Sequence, residues 1–299
     1  PIIPAASAAD SGNQEGIFGF GYTDTNVGMT NLVSSSGVVA TDVTAVGTAR
    51  QYPGATEYGG DKGIFAYGKT ASVVSMSNLV SNAGVVASDV TGVGTARYEV
   101  VACEYGEDKG IFGFGWTTGA VGMTNLVSNA GVVASDVTAV GTARGHPAAC
   151  EYGGDKGIFG FGNLASLTET GITNLVSNAG VVASDVAAVG TARRGPAACS
   201  YDGDKGIFGY GYIAYPTGRT AITNLVSNAG VVATDVTGVG SARYYMAACE
   251  YGGDKGIFGY GDSTVATAVT NLVSNAGVVA SDVTGVGTAR LKIAACSFN

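Results

Sequence analysis

Asp108-Lys109-Gly110-Ile111-Phe112-Gly113-Phe114-Gly115 is one copy of a unit that occurs six times, at glycines 16, 63, 110, 157, 206 and 256. The other copies read Gly16-Ile17-Phe18-Gly19-Phe20-Gly21, Gly63-Ile64-Phe65-Ala66-Tyr67-Gly68, Gly157-Ile158-Phe159-Gly160-Phe161-Gly162, Gly206-Ile207-Phe208-Gly209-Tyr210-Gly211 and Gly256-Ile257-Phe258-Gly259-Tyr260-Gly261. Self-similarity at a period of 47 to 50 residues is the mark of a repeat architecture. From the first glycine to the last of each copy every side chain is apolar, aromatic or absent. A short strand with no polar face is buried on both sides, and glycine inside it marks the close approach of another backbone.

The surrounding repeat is built from the same materials. Ala102-Cys103-Glu104-Tyr105 reads as a first strand and Gly106-Glu107-Asp108-Lys109 as a polar turn. In three other repeats that turn is Gly-Gly-Asp-Lys, at 59–62, 153–156 and 252–255, and its glycines supply the positive φ of a tight hairpin. The unit at 110–115 is the second strand, 116–122 a loop and 123–128 the third strand. Asn129-Ala130-Gly131 turns into a predicted fourth strand over 132–137. Helix signals are nearly absent, and the 49 glycines follow no Gly-X-Y period. The expected fold is therefore all-β, with six four-stranded antiparallel sheets. A sheet that is apolar on both faces has to stack on its neighbours, and six sheets stacked around an axis form a six-bladed β-propeller.

An open β-solenoid is the alternative, and it needs capping repeats at both ends. This chain instead enters at a second strand, 16–21, and leaves through an extra first strand, Ala294-Ala295-Cys296-Ser297-Phe298. The C-terminal strand is thus expected to complete the first blade and close a ring over 16–299. Residues 1–15 are read as a separate N-terminal segment with an anchoring role, although Ile3 to Ala8 faintly resembles a competing first strand.

The order of Arg, apolar strand, Gly-rich turn, aromatic strand ending in Gly and variable loop resembles a kelch-type blade over nearly the whole chain. The recurring Thr-Asn-Leu-Val-Ser-Asn-Ala-Gly-Val-Val-Ala and the Asp-Lys-x-Ile-Phe-Gly-Tyr-Gly units are similar to repeat arrays of tailed-phage virion proteins. That resemblance implies a non-enzymatic structural or adhesive component on a tail or capsid surface. Its partners would be other virion proteins, or a glycan or protein of the host surface, and it would act as an oligomer on the particle. A stand-alone sugar-binding module, cytoplasmic or extracellular, is the other reading, and an enzyme the third.

The six copies also locate the candidate contact face. The turns between first and second strands, and between third and fourth, hardly vary, whereas the loops of the opposite rim differ in every repeat. Those loops hold Tyr22, Tyr52, Tyr98, Trp116, His146, Tyr212, Tyr215, Tyr244 and Tyr245, including the chain's single Trp and single His. Tyrosines with small polar neighbours are favoured at binding surfaces.

Charge excludes other classes. The net charge is −8 and only 13% of residues are charged, so no basic patch points to nucleic acid. No apolar run is long enough to span a membrane, and Pro1 to Ser7 does not read as a signal peptide. Each repeat has an Asp followed eight residues later by an Arg, as in Asp89/Arg97, Asp136/Arg144, Asp185/Arg193 and Asp235/Arg243. Six copies of such a pair in a charge-poor chain are read as blade-to-blade ion pairs or Arg-to-carbonyl clamps. The five cysteines occupy equivalent places, read as buried apolar residues rather than a disulfide framework. No catalytic constellation, metal-ligand spacing or cofactor motif appears. Glu57, Glu104, Glu151 and Glu250 are expected to line a central channel.

Overall fold

The computed structural model describes residues 14–213 and 218–299; the N-terminal segment and Tyr215 lie outside the described residues. All regular elements are strands. They run β1 (Glu15–Gly19), β2 (Thr30–Val33), β3 (Gly54–Tyr58), β4 (Lys62–Lys69), β5 (Val73–Val80), β6 (Val101–Tyr105), β7 (Lys109–Gly113), β8 (Thr124–Val127) and β9 (Ala148–Tyr152). There follow β10 (Lys156–Gly160), β11 (Thr173–Val176), β12 (Ala197–Tyr201), β13 (Lys205–Ile213), β14 (Gly218–Val226), β15 (Ala247–Tyr251), β16 (Lys255–Gly259), β17 (Thr270–Val273) and β18 (Ala294–Phe298).

They form six three-stranded antiparallel sheets, five from consecutive strands and one in the order β18-β1-β2. The last strand of the chain thus pairs with the first, with Ile17 opposite Cys296. Along one side of the stack β3 touches β6, β6 touches β9, β9 touches β12, β12 touches β15, β15 touches β18, and β18 touches β3.

The fourth strand of each repeat is not a regular strand, and the reason is local. Ala134 N–H donates to Leu126 O, and the next ladder contact joins Val137 with Thr124. The outer segment thus advances three residues while β8 advances two. The surplus residue is a bulge. Asn125, opposite it, donates from Nδ2 to Ala134 O (2.9 Å) and to Asp136 Oδ1 (2.9 Å). A side chain takes over where the backbone ladder breaks. The segment remains half-buried: Val39 is 8% exposed and Val38 64%.

Sheet-to-sheet packing explains the glycines. A Cβ built on Gly157 would fall 2.4 Å from Cys103 Sγ, and one on Gly113 would fall 2.7 Å from Phe159 Cζ. The glycines of β7 and β10 are therefore the sockets for a cysteine and a phenylalanine of adjoining repeats. All five cysteines are buried and unpaired. The second repeat departs from the pattern and compensates for it. Ala66 replaces the socket glycine, and its cross-strand partner becomes Gly54 where other repeats carry Ala or Val. Phe112 then lies against Gly54, whose built Cβ would be 3.1 Å from Phe112 Cδ1.

A second contact keeps the same tally between third strand and outer segment. Three repeats pair glycine with alanine (Gly28/Ala45, Gly122/Ala139, Gly171/Ala188), their built Cβ positions 3.1–3.2 Å from the alanine Cβ. The others reverse the order, as Ser75/Gly92, Ala221/Gly238 and Ala268/Gly285, and there a built Cβ would fall 2.2–2.6 Å from its neighbour. In the reversed repeats the backbone itself crowds the glycine, with the carbonyl carbons of Ser75, Ala221 and Ala268 2.5–2.6 Å from the built Cβ.

The repeated arginines join sheet to sheet, and all six have no exposed surface. Arg97 lies over the Tyr67 ring of its own repeat, 4.3 Å from its centroid. Its Nε donates to Phe114 O of the next repeat (2.9 Å) and its Nη2 to Asn125 Oδ1 (2.7 Å). The carbonyl is available because Phe114 has a φ of 59° and Gly115 one of 109°. This left-handed step, which turns the strand aside, recurs in every repeat. Asp136 is 3.9 Å from Arg97 Nη1, so the charge relation runs between repeats rather than between Asp89 and Arg97 eight residues apart. Arg243 with Asp282 and Arg290 with Asp42 repeat it at 3.9 and 3.8 Å. Each Asp also accepts from the preceding repeat, Asp136 from the Thr95 hydroxyl at 2.6 Å and Asp185 from that of Thr142. Burial disfavours ionised Asp136, but the Thr95 hydroxyl, the Asn125 amide and the Thr95 N–H outweigh it and hold the carboxyl below its ordinary value. Burial pulls Arg50, Arg144 and Arg193 down only to about 10, so they stay cationic at neutral pH.

Two stability outcomes follow. Replacing Gly92 by Ala destabilises by about 1–3 kcal/mol through overpacking. The Ser75→Gly/Gly92→Ala double variant removes the Ser75 Oγ contact but not those with Ser75 C and Met76 N, and is expected to recover only part of that in denaturant melts; full recovery would show that the backbone shifts to the arrangement of the Gly/Ala repeats. Arg97→Met strands the Phe114 carbonyl and Asn125 Oδ1, and is expected to lower unfolding free energy by about 3 kcal/mol in the same assay.

Candidate functional site

The second residue after each repeated arginine is Tyr52, Glu99, His146, Gly195, Tyr245 or Lys292. All six have left-handed backbones, with φ of 55°, 59°, 47°, 58°, 56° and 59°. Their main chains link across repeats. Tyr52 N–H donates to Lys292 O (2.8 Å), Lys292 N–H to Tyr245 O (2.8 Å), Tyr245 N–H to Gly195 O (3.2 Å) and Gly195 N–H to His146 O (2.9 Å). Flanking residues form antiparallel bridges with the loop after the second strand, such as Tyr98 with Trp116, Arg194 with Tyr212 and Tyr244 with Asp262. One backbone frame therefore presents a different side chain from each repeat.

Those side chains converge. The Tyr52 ring lies 5.4 Å from His146 and 5.3 Å from Tyr245, and His146 lies 4.8 Å from Tyr245. Tyr98 adjoins Tyr52 at 5.8 Å, while Tyr244 stacks on Tyr245 at 4.0 Å and meets Tyr212 at 5.3 Å. Cations cover the outer rings: Lys292 over Tyr22 and Tyr52, Lys69 over Tyr98, Arg194 over Tyr212 and Arg219 over Tyr244. Of the predicted contact residues, Tyr22, Tyr52, Tyr98, Trp116, His146, Tyr212, Tyr244 and Tyr245 thus belong to one surface, and each is partly exposed. Tyr215 is outside the described residues.

Two members were not singled out by their residue type. Glu99 and Lys292 sit in loops without an aromatic signal of their own; only their register, two residues after the arginine, reveals them. Glu99 Oε1 is 3.0 Å from His146 Nε2. His146 Nδ1 is 3.1 Å from Asn163 Oδ1, whose amide N–H is used by Leu164 O. With Asn163 Nδ2 turned to Leu164 O, Oδ1 accepts from Nδ1–H of His146, while Nε2 faces Glu99 Oε1 without an aligned hydrogen bond. Glu99 Oε2 is buried with no hydrogen-bond partner. Burial, then the neighbouring Tyr245 and Glu99 charges, pushes the Tyr52 phenol far up; Tyr245 rises to about 12 with burial as the main cause. Both stay neutral at physiological pH. Burial, then the Lys69 charge, lowers Lys292 below the usual amine value.

Under this mouth three cavities follow one another. The first, of about 70 Å³, is walled by Val100, Pro147, Pro196, Met246 and Ile293 beneath the Tyr52, Glu99, His146 and Tyr245 side chains. It shares Val100, Pro196 and Met246 with a second of about 80 Å³ that is otherwise lined largely by alanines of the first strands. Those alanines also border a third, of about 50 Å³, lined by Glu57, Glu104, Glu151, Glu250 and Ser200. The four glutamates expected along a channel therefore meet in one cavity. Among the described residues, no three of His, Cys, Asp or Glu are grouped to hold a metal ion. Burial raises Glu151 to about 8, with repulsion from Glu57 adding to it. Glu104 and Glu250 are also raised well above the ordinary value, by burial first and Glu57 next.

No protein-family model matches the chain, and no curated protein matches its sequence.

The glutamates set a pH dependence. A carboxyl raised in the folded chain keeps a proton that the unfolded chain has released, so stability falls as pH climbs from the ordinary glutamate value of 4.5 to the raised one of about 8. The lowered aspartates act on the acid side, where their contribution is lost as pH drops below 3.8. Melting temperature is therefore expected to decline between pH 5 and 8, by roughly 2–4 °C per kcal/mol lost. Glu151→Gln should flatten part of that decline, and the Glu104→Gln/Glu151→Gln/Glu250→Gln triple variant most of it; an unchanged slope in the triple variant would remove the glutamates as its cause.

Proposed function

We propose that the chain is a six-bladed β-propeller, closed by the pairing of β18 with β1, and that it serves as a non-enzymatic adhesive or structural module. Its variable face contacts a glycan or protein partner. The observation that carries this reading is the contrast between a backbone frame repeated six times and a mouth where Tyr, Glu, His, Gly, Tyr and Lys stand in equivalent places. A purely structural ring gains nothing from such diversity. Partly exposed aromatic rings grouped with cations offer stacking faces, hydroxyls and charge, the composition of a recognition surface.

The likeness of the repeat units to tailed-phage arrays supports a place on a virion, on the tail or capsid surface. The outer segments, with their exposed Val38, Val85, Val132, Val181, Val231 and Val278, offer six equal patches to neighbouring virion proteins.

A glycan array probed with the intact chain tests the contact face. Trp116→Ala and Tyr98→Ala are each expected to weaken a positive signal by about tenfold, as loss of an aromatic anchor does. Binding that survives both substitutions would move the site elsewhere. Mass spectrometry of purified particles tests the virion assignment, and the chain's absence from them would reject it.

A further inference from the structure

We propose that His146 and Glu99 are two ligands of a divalent transition-metal site, of the class that Zn2+ fills, within the mouth. This inference goes beyond the contact reading above and does not depend on it. Glu99 poses the question. Its side chain is 6% exposed, its Oε2 has no hydrogen-bond partner, and His146 is its one ion-pair partner among the described residues. The nearby cations are engaged elsewhere: Lys292 lies over Tyr22 and Tyr52, and Arg194 pairs with Glu169. A buried carboxylate is paired or coordinates a metal.

His146 does not answer it as a hydrogen-bond donor. Its Nδ1–H is given to Asn163 Oδ1, so in the neutral ring Nε2 carries a lone pair. That nitrogen is 3.0 Å from Glu99 Oε1, yet it is buried and no hydrogen bond is aligned between them. Two donors held by one ion at about 2.0–2.2 Å stand about 3 Å apart, neither lying on the other's axis. The contact thus has the spacing of neighbouring ligands rather than of a donor and an acceptor. Asn163 completes the pattern, because a metal-bound histidine gives its other N–H to an oxygen that fixes tautomer and ring.

The frame is adapted to both side chains. Glu99 and His146 hold equivalent places in consecutive repeats at φ of 59° and 47°, where Gly195 shows that glycine suffices. The residue before His146 is Gly145, at a position where other repeats carry Gln51, Tyr98, Arg194, Tyr244 or Leu291. A Cβ built on Gly145 would fall 2.6 Å from Glu99 Oε2, so this glycine leaves room for the carboxylate. Glu99 and His146 also border the cavity of about 70 Å³, which has space for the water molecules that fill the remaining coordination positions. An imidazole with one carboxylate suits Zn2+ and its neighbours better than Mg2+ or Ca2+, which take oxygen donors.

Titration of the untagged intact chain with Zn2+ tests the site, read by calorimetry and by nitrogen NMR of the chain's single histidine. Zn2+ is expected to bind and to shift the His146 Nε2 resonance while Nδ1 keeps its hydrogen. Mg2+ and Ca2+ at the same concentration should leave that resonance unchanged. His146→Gln and Glu99→Gln are each expected to weaken Zn2+ binding by about tenfold or more, and Asn163→Ala by about tenfold, the cost of losing the histidine's outer partner. If a variant fails to fold, the His146 resonance of the wild-type chain still decides. Zn2+ that leaves His146 unshifted overturns the inference, and the contact is then an imidazolium–carboxylate pair or an unpaired one. Undiminished Zn2+ affinity in a folded His146→Gln chain also overturns it, since the ion then lies elsewhere. None of these outcomes bears on the glycan array, whose result stands separately.

Discussion

A fully buried guanidinium at each sheet junction is the constraint on which the rest depends. An arginine without contact to water needs its donors satisfied and its charge compensated. Arg290 shows how that is done: its plane lies 4.3 Å from the Tyr260 ring, Nε bonds Phe20 O and Nη2 bonds Asn31 Oδ1. Every partner has a structural price attached. The carbonyl must be turned by a left-handed aromatic residue, and the outer segment must bulge so that Asp42 accepts from the Asn31 side chain. The strand end, the outer segment and the inter-repeat hydrogen bonds meet at this side chain, and Arg97, Arg193, Arg243 and Arg290 share the full arrangement. Because Arg290 of the last repeat uses Phe20 and Asn31 of the first, the same network also ties the two ends of the described chain.

Glycine does the complementary work on the apolar side. Sockets such as Gly113 and Gly157 let Phe159 and Cys103 approach the backbone of an adjoining sheet. The exchange of Ala66 with Gly54 shows that the packing limit there is one Cβ per crossing rather than a glycine at a fixed position. A near-identical core can therefore carry small internal variation without altering the frame. The frame in turn holds the mouth residues at fixed backbone geometry while their side chains diverge.

The same frame creates two very different ends along one line of cavities. At one end neutral tyrosines, the close contact of His146 with Glu99, and Lys292 form a polar and aromatic mouth. At the other, Glu57, Glu104, Glu151 and Glu250 crowd together, and Glu104, Glu151 and Glu250 favour their protonated forms. Between them lie Ala102, Ala149, Ala198 and Ala248, small enough to leave a gap and too apolar to bridge it. Chemistry that distinguishes one repeat from another is thus concentrated at the mouth, where six loops meet.

The sequence by itself determined the repeat count, the three regular strands of each unit, the tight turns and the buried character of the Gly-Ile-Phe-Gly-Phe-Gly strand. Each of these is local, set by period-two alternation and by glycine's access to positive φ, so a window of a few residues contains the information. Which aspartate meets Arg97 was not local: Asp89 is near in the chain, but the bulge at Asp136 in the next repeat is what faces the guanidinium. The irregular outer segment was also hidden, because Val132 to Val137 alternates like a strand and only its pairing with β8 exposes the surplus residue. The mouth was half legible. Aromatic residues in variable loops marked Tyr52, His146 and Tyr245, but Glu99 and Lys292 gain their meaning only where the loops of separate repeats converge. Sequence fixes what each repeat is; contact between repeats, through space and across some 47 residues of chain, decides what they form together.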